Sequence, residues 1–174
     1  DLTSDQKIAR TVKELEIFVP NANIPRNVVL IDTPGFNPGA VSVDNHYEIT
    51  KHVVEEIADA ALILTPQEQA MSATLLRFLQ ETLHRCLHRC YFVITKMDNS
   101  DPAYRTDIVD FARQRIITDL NVLNPKLYAE SAITVLPVKK IPSNKVEDWA
   151  FYGMMFKQFE STLWENIRRS KDIV

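Results

Sequence analysis

The sequence is short of glycine: Gly35, Gly39 and Gly153 are the only three in 174 residues. They cannot supply Gly-x-x-x-x-Gly-Lys-Ser/Thr, because Gly35 and Gly39 stand too close together and no Gly-Lys pair occurs anywhere. That excludes from this stretch a glycine-rich loop whose main-chain N–H groups cradle a phosphate. Cysteine is scarce too, and Cys86 and Cys90 are too few for a disulfide framework. Neither sign of charge is in excess, with 20 Lys and Arg against 23 Asp and Glu and a formal net charge of -3. The basic residues are spread along the chain, which argues against a nucleic-acid protein with a basic face. No apolar run approaches the roughly 20 residues that span a bilayer, and no signal peptide opens the chain, so a cytoplasmic setting is expected.

What is present has the make-up of a globular domain, 45% hydrophobic and 25% charged, and residues 1–174 read as one domain able to bury a core. Leu15 to Val19 has a β-prone pattern that stops at Pro20-Asn21. Val28 to Ile31, Ala60 to Thr65 and Tyr91 to Thr95 are continuous apolar runs, suited to strands buried on both faces of a parallel sheet. Ile133 to Val138 is the last strand candidate. Between them, Asn45 to Ile57, Gln67 to about His84 and the segment after Asp101-Pro102 carry apolar residues at helical spacing. Asp101-Pro102 is an N-cap followed by proline at the first helical position, and Asn124-Pro125 repeats the signal for a short helix. A long helix is expected from Val146 to Ile173. Alternation of this kind predicts a parallel α/β sheet.

Two boxes carry chemistry. Asp32-Thr33-Pro34-Gly35 follows the run Val28 to Ile31, at the carboxyl end of an expected strand, where open α/β sheets bind ligands. Asp32 there can hold a Mg²⁺ ion through a water. Gly35 lets the main chain approach a terminal phosphate and donate its N–H to a γ-phosphate oxygen. When that phosphate leaves, the contact is lost and the loop from Phe36 to Asp44 can relax, which is the logic of a switch. The second box, Thr95-Lys96-Met97-Asp98, ends the run Tyr91 to Ile94. An ionised carboxylate accepts hydrogen bonds only, so Asp98 can take both N1–H and the amino group of guanine. Adenine presents an acceptor at its ring nitrogen and would leave that carboxylate unpaired. The stem of Lys96 can lie along the purine ring, and Thr95 can tie the loop to its neighbours. Each box alone could be a solvated turn. Together they follow expected strands, in a fixed order, about 60 residues apart, which leaves room for two helices and a strand.

Val28 to Phe36, Ile57-Ala58-Asp59-Ala60 and Phe92 to Asp98 together resemble the GTPase domain of the dynamin superfamily, bacterial dynamin-like proteins in particular. The resemblance implies a three-layer α/β/α P-loop NTPase-type domain with a mostly parallel sheet, here N-terminally incomplete, without its first strand and P-loop. It implies a Mg²⁺-dependent enzyme that binds GTP and GDP and hydrolyses GTP. It also implies a homodimer formed through the nucleotide face and, in the full-length protein, a helical stalk that remodels membranes. Asp32 would be the Mg²⁺-side residue, Gly35 the γ-phosphate sensor, and Lys96 with Asp98 the guanine readers.

The sequence departs from that pattern in three places. The P-loop is missing and only about thirty residues precede Asp32, so weak or no GTP binding is expected of this piece alone. The switch threonine has only Thr3 and Thr11 as candidates. The last base contact is expected from the main-chain N–H of Val138 or Lys139, although the strand Ile133 to Val138 ends in Lys139-Lys140 where many GTPases place a Ser-Ala pair. Two other readings stay open: a nucleotide-free interaction module that keeps the sheet, and a GTPase related to translation factors. His84, Cys86, His88 and Cys90 do not read as a zinc site, since on a helix the histidines and the cysteines would point to opposite faces.

Overall fold

Cys90 to Ile94 are each no more than 4% exposed, and this apolar run sets the centre of a sheet. The computed structural model describes residues 24–25, 28–34 and 43–171. Helix α1 (Val43–His52) runs on through a π turn (Val53–Ile57). Then come β1 (Ala61–Pro66), α2 (Ala73–Thr82), β2 (Cys90–Thr95), α3 (Arg105–Leu120), β3 (Lys126–Ala129) and α4 (Val146–Lys171). The three strands form a parallel sheet in the order β1-β2-β3, with Ala61 opposite Cys90 and Tyr91 opposite Lys126. Parallel strands need crossover connections, and α2 and α3 provide them.

Side chains alternate across a strand, so β2 feeds two cores. Phe92 and Ile94 join Leu76 and Leu79 of α2 and Ala112 and Ile116 of α3 in the larger one. Tyr91 and Val93 meet Phe159 and Leu163 of α4, and Tyr128 of β3 packs at a tilt against Phe159, 4.7 Å between ring centres. Helices thus cover both faces of β2, which is why its run needs no polar alternation. Leu62 and Leu64 share the second face by register, yet they stay 42% and 63% exposed, so among the described residues α4 packs on the β2–β3 side rather than over these two leucines.

Local signals place most elements. Ser72 caps α2 by accepting from the Leu75 N–H. Asp101 accepts from the Ala103 N–H with Pro102 behind it, as the sequence predicts for that pair. The expected helix from Gln67 is interrupted: a 3₁₀ turn (Gln67–Gln69) is followed by Met71 at φ 51°, a conformation that costs a side-chain-bearing residue about 1 kcal/mol or more. Met71 is fully buried, and that packing holds it there. The segment from His84 to Arg89 is a 3₁₀ turn with Cys86 and Cys90 in the core. Its Arg89 donates to the carbonyls of Ala58 and Val54 at 2.9 Å each, closing the C-terminal end of the π turn.

Three expected elements are corrected. Asn124-Pro125 leads into β3, not a helix; proline favours extended backbone before it, and the Leu127 N–H bonds the Pro125 carbonyl at 3.0 Å. Ile133 to Val138 is no strand. It forms 3₁₀ turns at Ala132–Val135 and Val138–Lys140, because the Ser131 side chain caps the Ile133 N–H and Pro137 lacks a ladder donor. Val28 to Ile31 is not a strand either. The chain divides between Ile31 and Asp32, and in the first unit Val29, Leu30 and Ile31 are 81%, 64% and 47% exposed. An apolar run becomes a buried strand only where neighbours pair with both its edges, and no ladder reaches these residues among the described ones. The strand expected at Leu15 to Val19 lies outside the described residues.

Candidate functional site at the carboxyl ends of β2 and β3

β2 delivers the second box to the carboxyl edge of the sheet. Thr95 ends the strand, and its hydroxyl donates to the Thr65 carbonyl at 3.4 Å, tying the end of β2 to the end of β1. Lys96 then adopts the left-handed conformation at φ 60°, ψ 30°, which reverses the chain and leaves its side chain exposed. Met97 drops back into the core at 1% exposure and pins the turn. Asp98 follows in a 3₁₀ turn (Met97–Asn99), and the Ser100 hydroxyl donates to the Met97 carbonyl at 2.6 Å.

The turn is locked to the end of β3. The Glu130 N–H donates to the Ile94 carbonyl at 2.8 Å and the Met97 N–H to the Glu130 carbonyl at 3.2 Å, so pairing continues past the formal strands. Ser131, 2% exposed, donates its hydroxyl to Oδ1 of Asp98. Lys145, in the 3₁₀ turn (Ser143–Lys145) before α4, donates to the main-chain carbonyl of Asp98 and lies 3.6 Å from its Oδ2. Arg105 grips Asp148 of α4 through both guanidinium nitrogens at 2.6 and 3.0 Å, donates to the Ser100 carbonyl at 3.2 Å, and lies over the Tyr152 ring. Glu130 is 6% exposed, neither carboxylate oxygen has a hydrogen-bond partner among the described residues, and burial pushes its carboxyl up to about 7.

The structure therefore gathers Thr95, Lys96 and Asp98 in one turn at the strand ends. Asp32 is exposed and lies in no helix or strand, with Thr33 and Pro34 half-buried beside it. Gly35 lies outside the described residues, as do Thr3 and Thr11. Val138 and Lys139 sit in an exposed 3₁₀ turn, so the base contact expected of them has lost the strand end on which it was placed. A Ser-Ala pair stands at Ser131-Ala132, one residue past the end of β3. Sequence reasoning missed Ser131, Glu130 and Lys145. The dipeptide Ser131-Ala132 was the available signal for the first, whereas nothing local announces Lys145. Among the described residues no group of three or more His, Cys, Asp or Glu is placed to hold a metal ion.

The Asp98 carboxylate suits a purine edge with two adjacent N–H donors: its two oxygens offer about four lone-pair sites, and Ser131 takes one. Residues 2–97 match the sequence profile of the dynamin family, a span that includes Asp32, Gly35, Thr95 and Lys96 and stops just before Asp98. No curated protein and no solved structure matches the chain. With more than half of its residues inside that match, the chain belongs to the dynamin family.

Proposed function

We propose that this chain is the guanine-reading portion of a GTP-hydrolysing dynamin-type domain. The observation that carries the reading is the Asp98 carboxylate, fixed at the carboxyl ends of β2 and β3 by Ser131 and the Lys96 turn. Asp98 accepts the two N–H groups of guanine, the Lys96 stem lies along the ring, and Thr95 holds the turn against the end of β1. The main chain at Ser131-Ala132 takes the place first assigned to Val138 and Lys139 beside the base. Asp32 holds Mg²⁺ through a water, and the Gly35 N–H senses the γ-phosphate. Bound Mg²⁺ supplies charge neutralisation at the β–γ bond, and catalysis rests on that and on positioning. The phosphate-binding loop is not among the 174 residues, so the reading requires that sequence outside them contribute it. A cytoplasmic protein that dimerises through its nucleotide face and acts on membranes through other regions completes the proposal.

Titration calorimetry of GTP and ATP with Mg²⁺ tests it, on this chain and on one extended upstream by about 60 residues, the span of a strand, P-loop and helix. Binding by the extended chain alone, with a preference for GTP, is the expected result. Failure of both chains to bind would overturn the reading. It would favour the second one, a nucleotide-free interaction module.

A further inference from the structure

We infer that Lys145 is the positioning residue that sets guanine selectivity, by clamping the Asp98 carboxylate from the foot of α4. The inference rests on the reading of Asp98 as the guanine reader. Lys145 engages one residue through two atoms, donating to the Asp98 carbonyl and facing Oδ2 at 3.6 Å, while Ser131 holds Oδ1 from the other side. A carboxylate held at its main chain and at both oxygens has lost its torsional freedom before a ligand arrives. What is left open is one pair of lone-pair sites in one plane. Side-chain exposures of 25% for Lys145 and 15% for Asp98 remove the pair from most of the solvent screening that weakens surface ion pairs.

The surrounding charges make Lys145 hard to replace. Asp98, Asp148 and Glu130 all act on Tyr152, so three acids crowd this corner. Arg105 forks onto Asp148, and among the described residues no ion pair or hydrogen bond reaches the Glu130 carboxyl. Lys145 is the cation in ion-pair contact with Asp98, while Arg105, engaged with Asp148, acts on the same carboxylate from further off. Lys145 comes from 47 positions along the chain, so the reader turn and the start of α4 are fixed together. Without it the carboxylate keeps only the Ser131 hydroxyl and swings between several orientations. Guanine then suffers more than hypoxanthine, because only guanine presents both N1–H and a 2-amino group and gains from a two-point acceptor.

The test is the ratio of GTP to ITP affinity in the full-length gene product, with KM and kcat for both nucleotides. Lys145→Met, which keeps the stem and removes the charge, is expected to narrow the ratio about fivefold through KM, with kcat at saturating GTP little changed. Lys145→Arg is expected to recover most of the ratio. Lys145→Gln is measured beside them, so that a fold lost in the Met variant, seen by near-ultraviolet circular dichroism, does not end the test. An unchanged ratio in folded Lys145→Met or Lys145→Gln protein overturns the inference. So does tighter GTP binding, which would make the lysine a competitor for the carboxylate. Asp98→Ala separates the two levels: a collapsed ratio there with an unchanged one at Lys145 sinks only the clamp, whereas an unchanged ratio in Asp98→Ala sinks the guanine reading itself.

Discussion

Val28 to Ile31 and Tyr91 to Ile94 are both four-residue apolar runs, and each leads into a box with an aspartate. Their surroundings differ completely. Tyr91 to Ile94 lies between β1 and β3, with α2 and α3 on one face and α4 on the other, and none of the four exceeds 4% exposure. In the other run Val29, Leu30 and Ile31 stand 47% to 81% exposed, in a unit of their own with no strand pairing among the described residues. The difference teaches that apolar composition gives a segment the capacity to be a central strand, while paired neighbours make it one. The chemistry follows the packing: Asp98 is oriented by three hydrogen-bonding or ionic contacts, and Asp32 is exposed.

The contrast predicts unequal costs of truncation. Phe92→Ala should destabilise the chain by about 3–5 kcal/mol in urea denaturation, because a fully buried aromatic leaves a cavity. Leu30→Ala should cost less than about 0.5 kcal/mol. In a chain extended upstream the Leu30 cost should rise to about 2 kcal/mol or more, if the added residues pair with that run. Equal costs in the present chain would break the comparison.

Within the well-packed edge, Glu130 is the strained point. Its folded carboxyl is raised from 4.5 to about 7 by burial, so between those values the folded state holds a proton that the unfolded state releases. Stability is then full below about pH 4.5 and falls as pH rises through about 7, by up to roughly 3 kcal/mol. Glu130→Gln should flatten that slope and be the more stable protein at neutral pH, which thermal melts across pH 4 to 8 would read. A steeper slope in the variant would contradict the assignment.

The smallest effect expected is chemical. Burial, with Cys86 beside it, pushes the Cys90 thiol up to about 12, so it should resist alkylation in the folded chain and react only as the chain unfolds. Iodoacetamide labelling followed by mass spectrometry checks this. Fast labelling of the folded chain would show that the core around β2 opens more readily than its burial implies.

Much of the well-packed region was legible in the sequence. The run of β2 and the Asp101-Pro102 cap rest on local signals that tertiary packing then reinforced. β3 was not legible. It is four residues long and half-buried throughout, so it shows no alternation, and the Asn-Pro before it imitates a helix start. Ile133 to Val138 carries the stronger β composition, but a serine cap and a proline turn it into 3₁₀ structure. Missing β3 hid Ser131-Ala132, and with it the partner of Asp98. Lys145 reaches Asp98 across 47 residues, a distance over which single-sequence patterns carry no information.

The central claim is that Asp98 reads guanine at the joined ends of β2 and β3, and Asp98→Asn in the full-length gene product tests it most directly. Xanthine has a carbonyl where guanine has its 2-amino group, so an amide in place of the carboxylate should pair with the one and mismatch the other. Nucleotide titrations should show the variant losing GTP by about 100-fold or more while gaining XTP. A variant that binds GTP as the parent does, with no gain for XTP, would contradict the account.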